Sequence, residues 1–332
     1  MLQRGSKRVD PLSLGRYSRR LQRAVVDFGA EDSFGLAARR LGLHYGVSLS
    51  ASSVRKLTLH HASAMAEAGR PEGTVGKLAG SGADYVIAQS DGTMLPILET
   101  AKGRAKDLRK KRLCQWNEFR LCATRAQGST QTCYGVSQGD VDAAGYVWAA
   151  CAARSQWGIN TSIHVVCDGA RWITTQAHQN FGSKACVLID FYHLSGYLAD
   201  AAHAIHDCPK CAKAWLKTQQ KRLKAGKTNL LVDELNLHIE TSECKDLQAP
   251  VRRALRYITN RTEQLDYPHA IKNNLPIGSG LIEGGHRHVL QKRLKISGAW
   301  WRLSNATAMA QLRVIRANQD EDSYWDNLAL KA

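Results

Sequence analysis

The sequence lacks the long apolar runs that a membrane-spanning protein requires. No stretch approaches about 18 consecutive apolar residues, and the opening residues 1–4 lead into no apolar signal core. Nine cysteines, an odd number, lie between Cys114 and Cys244; without a signal segment they indicate reduced thiols rather than a disulfide framework. We therefore expect a soluble protein of the cytoplasm.

Acidic residues are scarce relative to basic ones. The 332 residues include 29 Asp and Glu against 46 Lys and Arg, which gives a net charge of +17. A hydrophobic share of 44% argues against wholesale disorder, and the length suggests about two domains. The excess of positive charge predicts a polyanionic partner, and because the membrane is disfavoured we expect nucleic acid.

Two common catalytic motifs are absent as well. Gly76 and Lys77 do not complete a phosphate-binding loop, because Pro71 stands where the first Gly belongs and no Ser or Thr follows Lys77. No Gly-x-Ser-x-Gly nucleophile elbow occurs. The sequence therefore favours neither a nucleotide site nor acyl-transfer chemistry.

A zinc site at Cys208 and Cys211 is not expected either. A structural zinc site needs four ligands, and His206 lies only two residues before the pair, although His203 could reach it.

The first 70 residues predict helices. Ser33–Leu43 has apolar residues at helical spacing behind a capping Ser, and Gly46 suits a sharp turn. Ser50 can cap a second helix, Ala51–His61, which carries Arg55 and Lys56. The pattern is typical of a DNA-binding helix-turn-helix, and a purely structural helical hairpin is the alternative. A Gly-rich linker follows, up to residue 82.

After the linker, apolar runs end in aspartates. Residues 85–88, 163–167 and 187–189 predict strands that lead to Asp91, Asp168 and Asp190. With a helical stretch over 143–158, the pattern predicts an α/β fold whose acidic residues share one edge of the sheet. Residues 194–270 and 281–318 predict helices.

A strand-end Asp often caps a turn, and Asp-Gly is a common turn pair. Several such aspartates together in a basic chain favour a metal site instead. Carboxylates about 4 Å apart repel by ~4 kcal/mol at an effective dielectric near 20. Mg²⁺ is the natural counter-charge because it prefers oxygen ligands, and a metal pair can drive phosphodiester chemistry.

Four segments contain these aspartates or Glu283: 91–96 (DGTMLP), 168–173 (DGARWI), 190–193 (DFYH) and 278–285 (GSGLIEGG). They resemble the DDE transposases of bacterial insertion sequences, and in particular the ISKra group, which is related to the Mutator-like transposases. A later run, 293–301 (RLKISGAWW), also looks like that group. The resemblance covers about residues 85–318.

The resemblance implies an RNase H-like fold with a metal-binding triad of Asp91, at the end of the first strand, Asp168 and Glu283. Asp190 competes with Asp168, but the family's Asp-x-x-His pair maps to Asp190 and His193, which implies a supporting role. Glu283 follows Asp168 by 115 residues, which implies a helical insertion. The expected domains are a helical N-terminal domain with its linker (1–80), a catalytic core (81–197 and 276–332) and the insertion (198–275).

Several basic residues are candidates for DNA contact. The run 104–112 is either a solvated face or a backbone-binding segment, and Arg287 either pairs with Glu283 or faces phosphate. Trp300 and Trp301 either pack in the core or stack on a base. The predicted DNA-binding set is Arg55, Lys56, Arg104, Arg109, Lys110, Lys111, Arg112, Arg287, Lys292, Arg293 and Lys295.

The function expected from this resemblance is DNA transposition. The protein would cut the terminal inverted repeats with Mg²⁺, or Mn²⁺ as a substitute, and join a 3′-hydroxyl to target DNA. It would associate with the nucleoid and act as a homodimer or larger assembly. Two alternatives stay open: a transposase-derived DNA-binding protein that does not cut, and a metal-dependent DNA nuclease of RNase H-like fold.

Overall fold

The computed structural model describes residues 17–68, 80–100 and 112–330. The chain divides into two compact units. Unit 1 comprises Met1–Gly73, Thr93–Phe119 and Gly285–Ala332, and unit 2 comprises Thr74–Gly92 and Arg120–Gly284. The division of the chain at residues 80, 197 and 275 stays a prediction.

Unit 1 begins with three helices, α1 (Arg19–Glu31), α2 (Phe34–Tyr45) and α3 (Ala51–Ala68). The capping residues of α2 and α3 are confirmed, since Ser33 Oγ accepts from the Leu36 N–H and Ser50 Oγ from the Ser53 N–H. Gly46 ends α2 with φ of 66°, a left-handed conformation that glycine adopts without strain. The two helices and the Gly turn between them are therefore as expected, and α3 is longer than expected.

A buried histidine joins α1, α3 and the last helix, α14 (Glu321–Leu330). His61 is 1% exposed; its Nδ1 lies 2.8 Å from Tyr324 Oη and its Nε2 2.9 Å from Gln22 Oε1. Burial is the main reason why the pKa of His61 falls to about 4, with neighbouring His60 adding to the effect. His61 is therefore neutral at pH 7 and uses one nitrogen as donor and the other as acceptor.

Most of unit 2 is organised around a mixed sheet with strand order β3-β2-β1-β4-β5, of which the end of β1 and the start of β2 belong to unit 1. β1 pairs with β4 and β4 with β5 in parallel, and β2 pairs with β3 antiparallel. The strands are β1 (Tyr85–Thr100), β2 (Arg112–Ala126), β3 (Cys133–Ser137), β4 (Ser162–Cys167) and β5 (Ala185–Ile189). The predicted end of the first strand at Asp91 is wrong, because β1 continues nine residues further, to Thr100.

Two helices pack on one face of this sheet, α4 (Val141–Arg154) and α5 (Arg171–Phe181). Asp140 caps α4 by accepting from the Ala143 N–H at 2.8 Å. Trp148 and Trp157 pack edge-on against Phe181, in a core that also includes Val86 and Ala88 of β1. The even-numbered residues of β1 therefore point toward α4 and α5.

A second core in unit 2 joins β5 to a group of helices. Its members include Leu188, Leu198, Trp215 and Tyr267. The helices are α6 (Phe191–Ile205), α7 (Pro209–Lys224), α8 (Thr228–Asn236), α9 (Pro250–Thr259) and α10 (Tyr267–Lys272). They occupy the region for which the sequence predicts helices.

The last predicted helical region, 281–318, is interrupted. α11 (Gly280–Gly285) leads into a π-helical segment, His286–Gln291, and then into α12 (Lys292–Leu294). A turn follows in which Gly298 has φ of 73°, before α13 (Leu303–Ala317) begins. Within the described part of the chain, no helix combines the length and apolarity needed to cross a bilayer.

Candidate active site

Residues of β1, β4 and β5 lie opposite one another at constant spacing. Tyr85 of β1 pairs with Ser162 of β4, 77 positions later, and this offset holds along the pair. Ile163 of β4 pairs with Ala185 of β5, 22 positions later, and this offset is also constant. Because neighbouring strands lie about 4.8 Å apart, residues with these offsets form rows across the three strands.

The three aspartates have the same two offsets. Asp168 comes 77 positions after Asp91, and Asp190 comes 22 positions after Asp168. Asp168 and Asp190 directly follow β4 and β5, whereas Asp91 lies within β1, three residues beyond its last pair with β4. Since side chains alternate along a strand, Asp91 lies on the face of β1 that carries Gln89, while Asp168 and Asp190 lie just beyond the paired residues of β4 and β5.

Residues 276–283, which we call the covering segment, are hydrogen-bonded to β4 and to the start of α6. His164 Nε2 lies 2.8 Å from the Pro276 carbonyl oxygen, and the Phe191 N–H donates to the Ile277 carbonyl at 2.8 Å. Burial lowers the pKa of His164, and the hydrogen bond to Pro276 opposes this shift. The imidazole is therefore neutral and serves as a donor.

Gln89 of β1 holds the same segment at two points. Its Nε2 donates to the Gly278 carbonyl at 3.1 Å, and its Oε1 accepts from the Ile282 N–H at 2.9 Å. Gln89 is fully buried, so these bonds are shielded from water. They fix the first turn of α11, which carries Glu283, to the strand that carries Asp91.

Asp190 is buried, and it accepts hydrogen bonds on both carboxylate oxygens. Oδ1 accepts from the N–H groups of Tyr192 at 2.6 Å and His193 at 3.1 Å, and thereby caps α6. Oδ2 accepts from the Ser279 N–H at 2.8 Å and from the Ser279 hydroxyl. A carboxylate offers about four acceptor positions, so Asp190 is fully used as a brace between α6 and the covering segment.

One hydroxyl links Asp190 to Glu283. Ser279 Oγ, which donates to Asp190, also lies 3.1 Å from Glu283 Oε1. Glu283 is exposed, unlike Asp190. Gly278 allows the covering segment to pass close to Tyr192, because a Cβ at this position would lie 2.7 Å from the Tyr192 ring.

Asp168 is exposed and lies in a turn that the helices of the second core hold in place. Its Oδ1 accepts from the Ala170 N–H at 2.9 Å, and its carbonyl accepts from the Tyr257 hydroxyl at 2.6 Å. Arg261 Nη2 donates to the Gly169 carbonyl at 3.0 Å, and its guanidinium lies 4.2 Å from the centre of the Tyr257 ring. Gly169 has φ of 82°, and a Cβ there would meet Arg261 Nε at 2.4 Å.

His193 lies close to this turn. Its ring centre is 5.8 Å from that of Tyr257 and 5.5 Å from that of Tyr197, and the side chain is exposed. Tyr257 therefore contacts both the ring of His193, whose backbone N–H donates to Asp190, and the carbonyl of Asp168.

The donor chemistry of the site suits a hard cation. Asp91 is partly exposed, and Asp168 and Glu283 are exposed carboxylates, the ligands that Mg²⁺ prefers. Across 17–68, 80–100 and 112–330, however, no three His, Cys, Asp or Glu side chains form a group that could hold a metal ion. Burial raises the pKa of the adjacent Cys167 to about 12, so this thiol is neutral and not a nucleophile.

Cys208 and Cys211 lie away from this row, at the start of α7. Both are exposed free thiols. The Cys211 backbone N–H is the main cause of a lowered pKa at Cys208. The expectation that these two thiols hold no zinc stays a prediction.

The predicted DNA-binding residues fall into three groups. Arg104, Arg109, Lys110 and Lys111 lie outside the described residues. Lys292 is exposed and its Nζ is 3.1 Å from Glu31 Oε2. The remaining exposed members are Arg55, Lys56, Arg112, Arg287 and Lys295.

Arg293 differs from the rest of this set. It is 2% exposed, its Nε donates to the Gly29 carbonyl at 3.0 Å, and its guanidinium lies against the rings of Phe34 and Trp301. Because its side chain is enclosed, a surface contact of Arg293 with DNA is not compatible with this structure. Trp301 is buried with it, whereas the neighbouring Trp300 is 58% exposed.

Sequence reasoning missed Gln89, His164, Ser279 and Tyr257. Ser279 belongs to the Gly-Ser-Gly run before Glu283, which was a signal that this position had a specific role. The other three are single polar residues whose partners lie far away in the chain, so no local pattern identifies them.

Comparison with known proteins places the chain in a family. No curated protein matches the chain. A family model, described as Uncharacterised protein family (UPF0236), matches residues 147–324, a range that includes Asp168, Asp190 and Glu283. Since this range is more than half of the sequence, the chain belongs to the uncharacterised protein family UPF0236.

Proposed function

We propose that this protein is a DDE-type DNA transposase, which cuts DNA at the ends of an insertion sequence and joins them to target DNA. The observation that carries the proposal is the register of the sheet. Asp91, Asp168 and Asp190 have the offsets of one row across β1, β4 and β5, and Glu283 is tied to the same face. In a chain of net charge +17, an acidic row of this kind suits chemistry on a polyanion.

We further propose that unit 2 has an RNase H-like fold with a helical insertion. The five-stranded mixed sheet supports this assignment, as does the position of an aspartate after each of β4 and β5. The helices α6 to α10 occupy the interval between Asp190 and Glu283, where the resemblance implies an insertion.

Asp91, Asp168 and Glu283 are the proposed metal ligands. Asp168 is favoured over Asp190 because Asp168 is exposed, whereas both oxygens of Asp190 are occupied by hydrogen bonds. A carboxylate whose acceptor positions are filled would lose those bonds on binding a metal. Asp190 and His193 are therefore positioning residues.

Bound Mg²⁺, with Mn²⁺ as a substitute, would activate a water or 3′-hydroxyl and stabilise the leaving oxygen at the phosphodiester. The chain's own contribution is to hold the carboxylates. Tyr257 and Arg261 fix the Asp168 turn, and Gln89 and Asp190 fix the segment that ends in Glu283.

Double-stranded DNA is the proposed partner, as terminal inverted repeats and as target. Exposed Arg55 and Lys56 on α3 support binding by the helix-turn-helix, and exposed Arg112, Arg287 and Lys295 support further backbone contacts. Pairing two DNA ends requires at least a homodimer.

The test is an assay of the protein with duplex DNA from the regions that flank its own gene, in the presence of Mg²⁺. The proposal predicts cleavage at the element ends and a joined product with a second duplex. Cleavage without joined product would instead identify a nuclease. Binding without cleavage would identify a DNA-binding protein derived from a transposase.

A further inference from the structure

Helix α7 presents five lysines on one side. They recur at intervals of three and four residues, so at 100° per residue they fall within an arc of about 80°. All five are exposed. We call this set the lysine face: Lys210, Lys213, Lys217, Lys221 and Lys224.

The opposite side of α7 is packed into the second core of unit 2. Its buried residues are Ala212, Trp215, Gln219 and Leu223, whose directions centre about 160° from the middle of the lysine face. The helix therefore cannot turn its lysines inward, and the lysine face is a fixed feature of the surface.

The charge of the lysine face is not neutralised by neighbouring side chains. α7 contains no Asp or Glu, and its single arginine, Arg222, pairs with Glu234 at 3.2 Å. In the part of the chain that the structure describes, none of the five lysines forms an ion pair with a carboxylate.

This arrangement opposes the stability of the helix itself. Like charges three or four residues apart destabilise a helix by roughly 0.2–0.5 kcal/mol a pair. Lys210 and Lys213 also face the positive end of the helix dipole, whereas Lys221 and Lys224 in the last turn are favoured by its negative end. An external polyanion would remove both penalties.

The lysine face begins beside the candidate active site. Lys224 Nζ lies 4.5 Å from the ring centre of Phe191, the residue after Asp190, and Gln220 Nε2 donates to Ser195 Oγ at 3.2 Å. The C-terminal half of α7 therefore lies along the start of α6. From Lys224 to Lys210 the face extends over about 21 Å at 1.5 Å per residue.

We propose that the lysine face binds the phosphate backbone of double-stranded DNA and guides the duplex to the Asp168 and Glu283 carboxylates. This inference rests on the proposed function for the identity of the polyanion. A length of about 21 Å spans roughly six base-pair steps of 3.4 Å, and lysines every 4.5–6 Å can each reach a phosphate. Contacts of this kind are independent of DNA sequence.

The test compares two triple variants of equal charge in the full chain. K213Q/K217Q/K221Q removes the centre of the lysine face, and the control K184Q/K245Q/K272Q removes three exposed lysines elsewhere in unit 2. Binding to an end-labelled duplex of arbitrary sequence, about 30 base pairs long, is measured by fluorescence anisotropy between about 50 and 200 mM KCl.

Loss of three phosphate contacts should reduce the slope of log K against log salt by about 2.7, because each contact contributes about 0.9. Over a fourfold rise in salt, wild type should lose about 40-fold more affinity than the variant. The control, and K213R/K217R/K221R, should keep the wild-type slope.

An unchanged slope in K213Q/K217Q/K221Q would overturn the inference, as would an equal loss in the control. The inference would also be overturned if K213Q/K217Q/K221Q lost binding to vesicles of phosphatidylcholine and phosphatidylserine but bound DNA like wild type. That result would identify a membrane surface as the partner of the lysine face. Circular dichroism checks that α7 is retained, and the single change K217Q, with a slope loss of about 0.9, repeats the test with less perturbation. None of these measurements uses DNA cleavage. An unchanged salt slope would therefore refute the lysine face and leave the proposed transposase function untouched, and an absence of cleavage would leave the salt slopes interpretable.

Discussion

Replacement of Asp190 tests whether its carboxylate positions the neighbouring segments or binds the metal ion. In Asp190→Asn the amide oxygen can still cap α6, because Asn caps helices as well as Asp does. The amide nitrogen would then face the Ser279 N–H, so a donor meets a donor where the wild type has a bond of 2.8 Å.

The magnitude follows from the bonds that are lost. Asp190 is 3% exposed, and its two bonds from Ser279 go to a charged acceptor, each worth about 1.5–3 kcal/mol. The Ser279 hydroxyl can rotate and accept from the new amide, so we expect Asp190→Asn to cost about 2–3 kcal/mol. Asp190→Ala also loses the helix cap, about 1 kcal/mol more, and should cost about 3–4 kcal/mol.

The assay is urea unfolding of single and paired variants. Ser279→Ala combined with Asp190→Asn should show a coupling free energy of at least about 1 kcal/mol, because the two residues share their bonds. Asp200→Asn, an exposed change on the same helix, should stay within about 0.5 kcal/mol of wild type.

One result would refute this reasoning. If Asp190→Asn unfolds like wild type but loses Mg²⁺ binding and cleavage completely, Asp190 is a metal ligand and not a brace. The assignment of Asp168 would then have to be exchanged with it.

Three further perturbations test the packing and the buried groups. Gly278→Ala should lower the free energy of unfolding in urea by about 1–3 kcal/mol, because its Cβ would lie 2.7 Å from the Tyr192 ring. The control Gly280→Ala, whose Cβ would have no atom within 4 Å, should cost under about 1 kcal/mol, and equal costs would contradict the close approach. Tyr257→Phe removes the hydroxyl that donates to the Asp168 carbonyl, so it should lower the free energy of unfolding by about 1 kcal/mol and reduce the cleavage rate. An unchanged cleavage rate would show that the Asp168 turn does not need this hydrogen bond. His61 has a folded-state pKa of about 4, below its unfolded value near 6.5, so the unfolded chain binds more protons between these two pH values. The free energy of unfolding should therefore fall by about 2–3 kcal/mol as the pH drops from 6.5 to 4, and this part of the pH dependence should disappear in His61→Gln.

The helix positions of unit 1 could be predicted because their signals are local. Ser33 and Ser50 are capping residues next to apolar periodic segments, and Gly46 lies where a left-handed residue is needed. In each case the residue and its hydrogen-bond partner are three or four positions apart, within the reach of sequence reasoning.

The strand boundaries show where local reasoning fails. The sequence predicts that a strand ends at Asp91-Gly92, since Asp-Gly is common in turns. Gly92 does not adopt a positive φ, and β1, which neighbours β2 in the sheet, continues to Thr100. Pairing with a neighbouring strand overrides the local preference for a turn.

The position of an aspartate after a strand could be predicted, but not the groups that hold it. Asp168 and Asp190 follow apolar runs that sequence alone predicts as strands. The covering segment is fixed by Gln89 and His164, whose partners lie more than 100 residues away. Such contacts depend on the tertiary fold.

Arg293 illustrates the same limit for charged residues. In a basic segment it is indistinguishable from Lys292 and Lys295, and only the position of Phe34 and Trp301 encloses it. The lysine face is the opposite case, because its spacing is visible in the sequence. Its meaning emerged only when the opposite side of α7 was found buried.

The central claim is that Asp168 is a metal ligand for DNA cleavage. The most direct measurement is the Mg²⁺-dependent cleavage rate of Asp168→Asn on duplex DNA that flanks the gene, beside wild type and Asp200→Asn. We expect a loss of at least ~10²-fold in Asp168→Asn, with DNA affinity and the urea midpoint unchanged, and no loss in Asp200→Asn. Cleavage by Asp168→Asn at the wild-type rate would contradict the account.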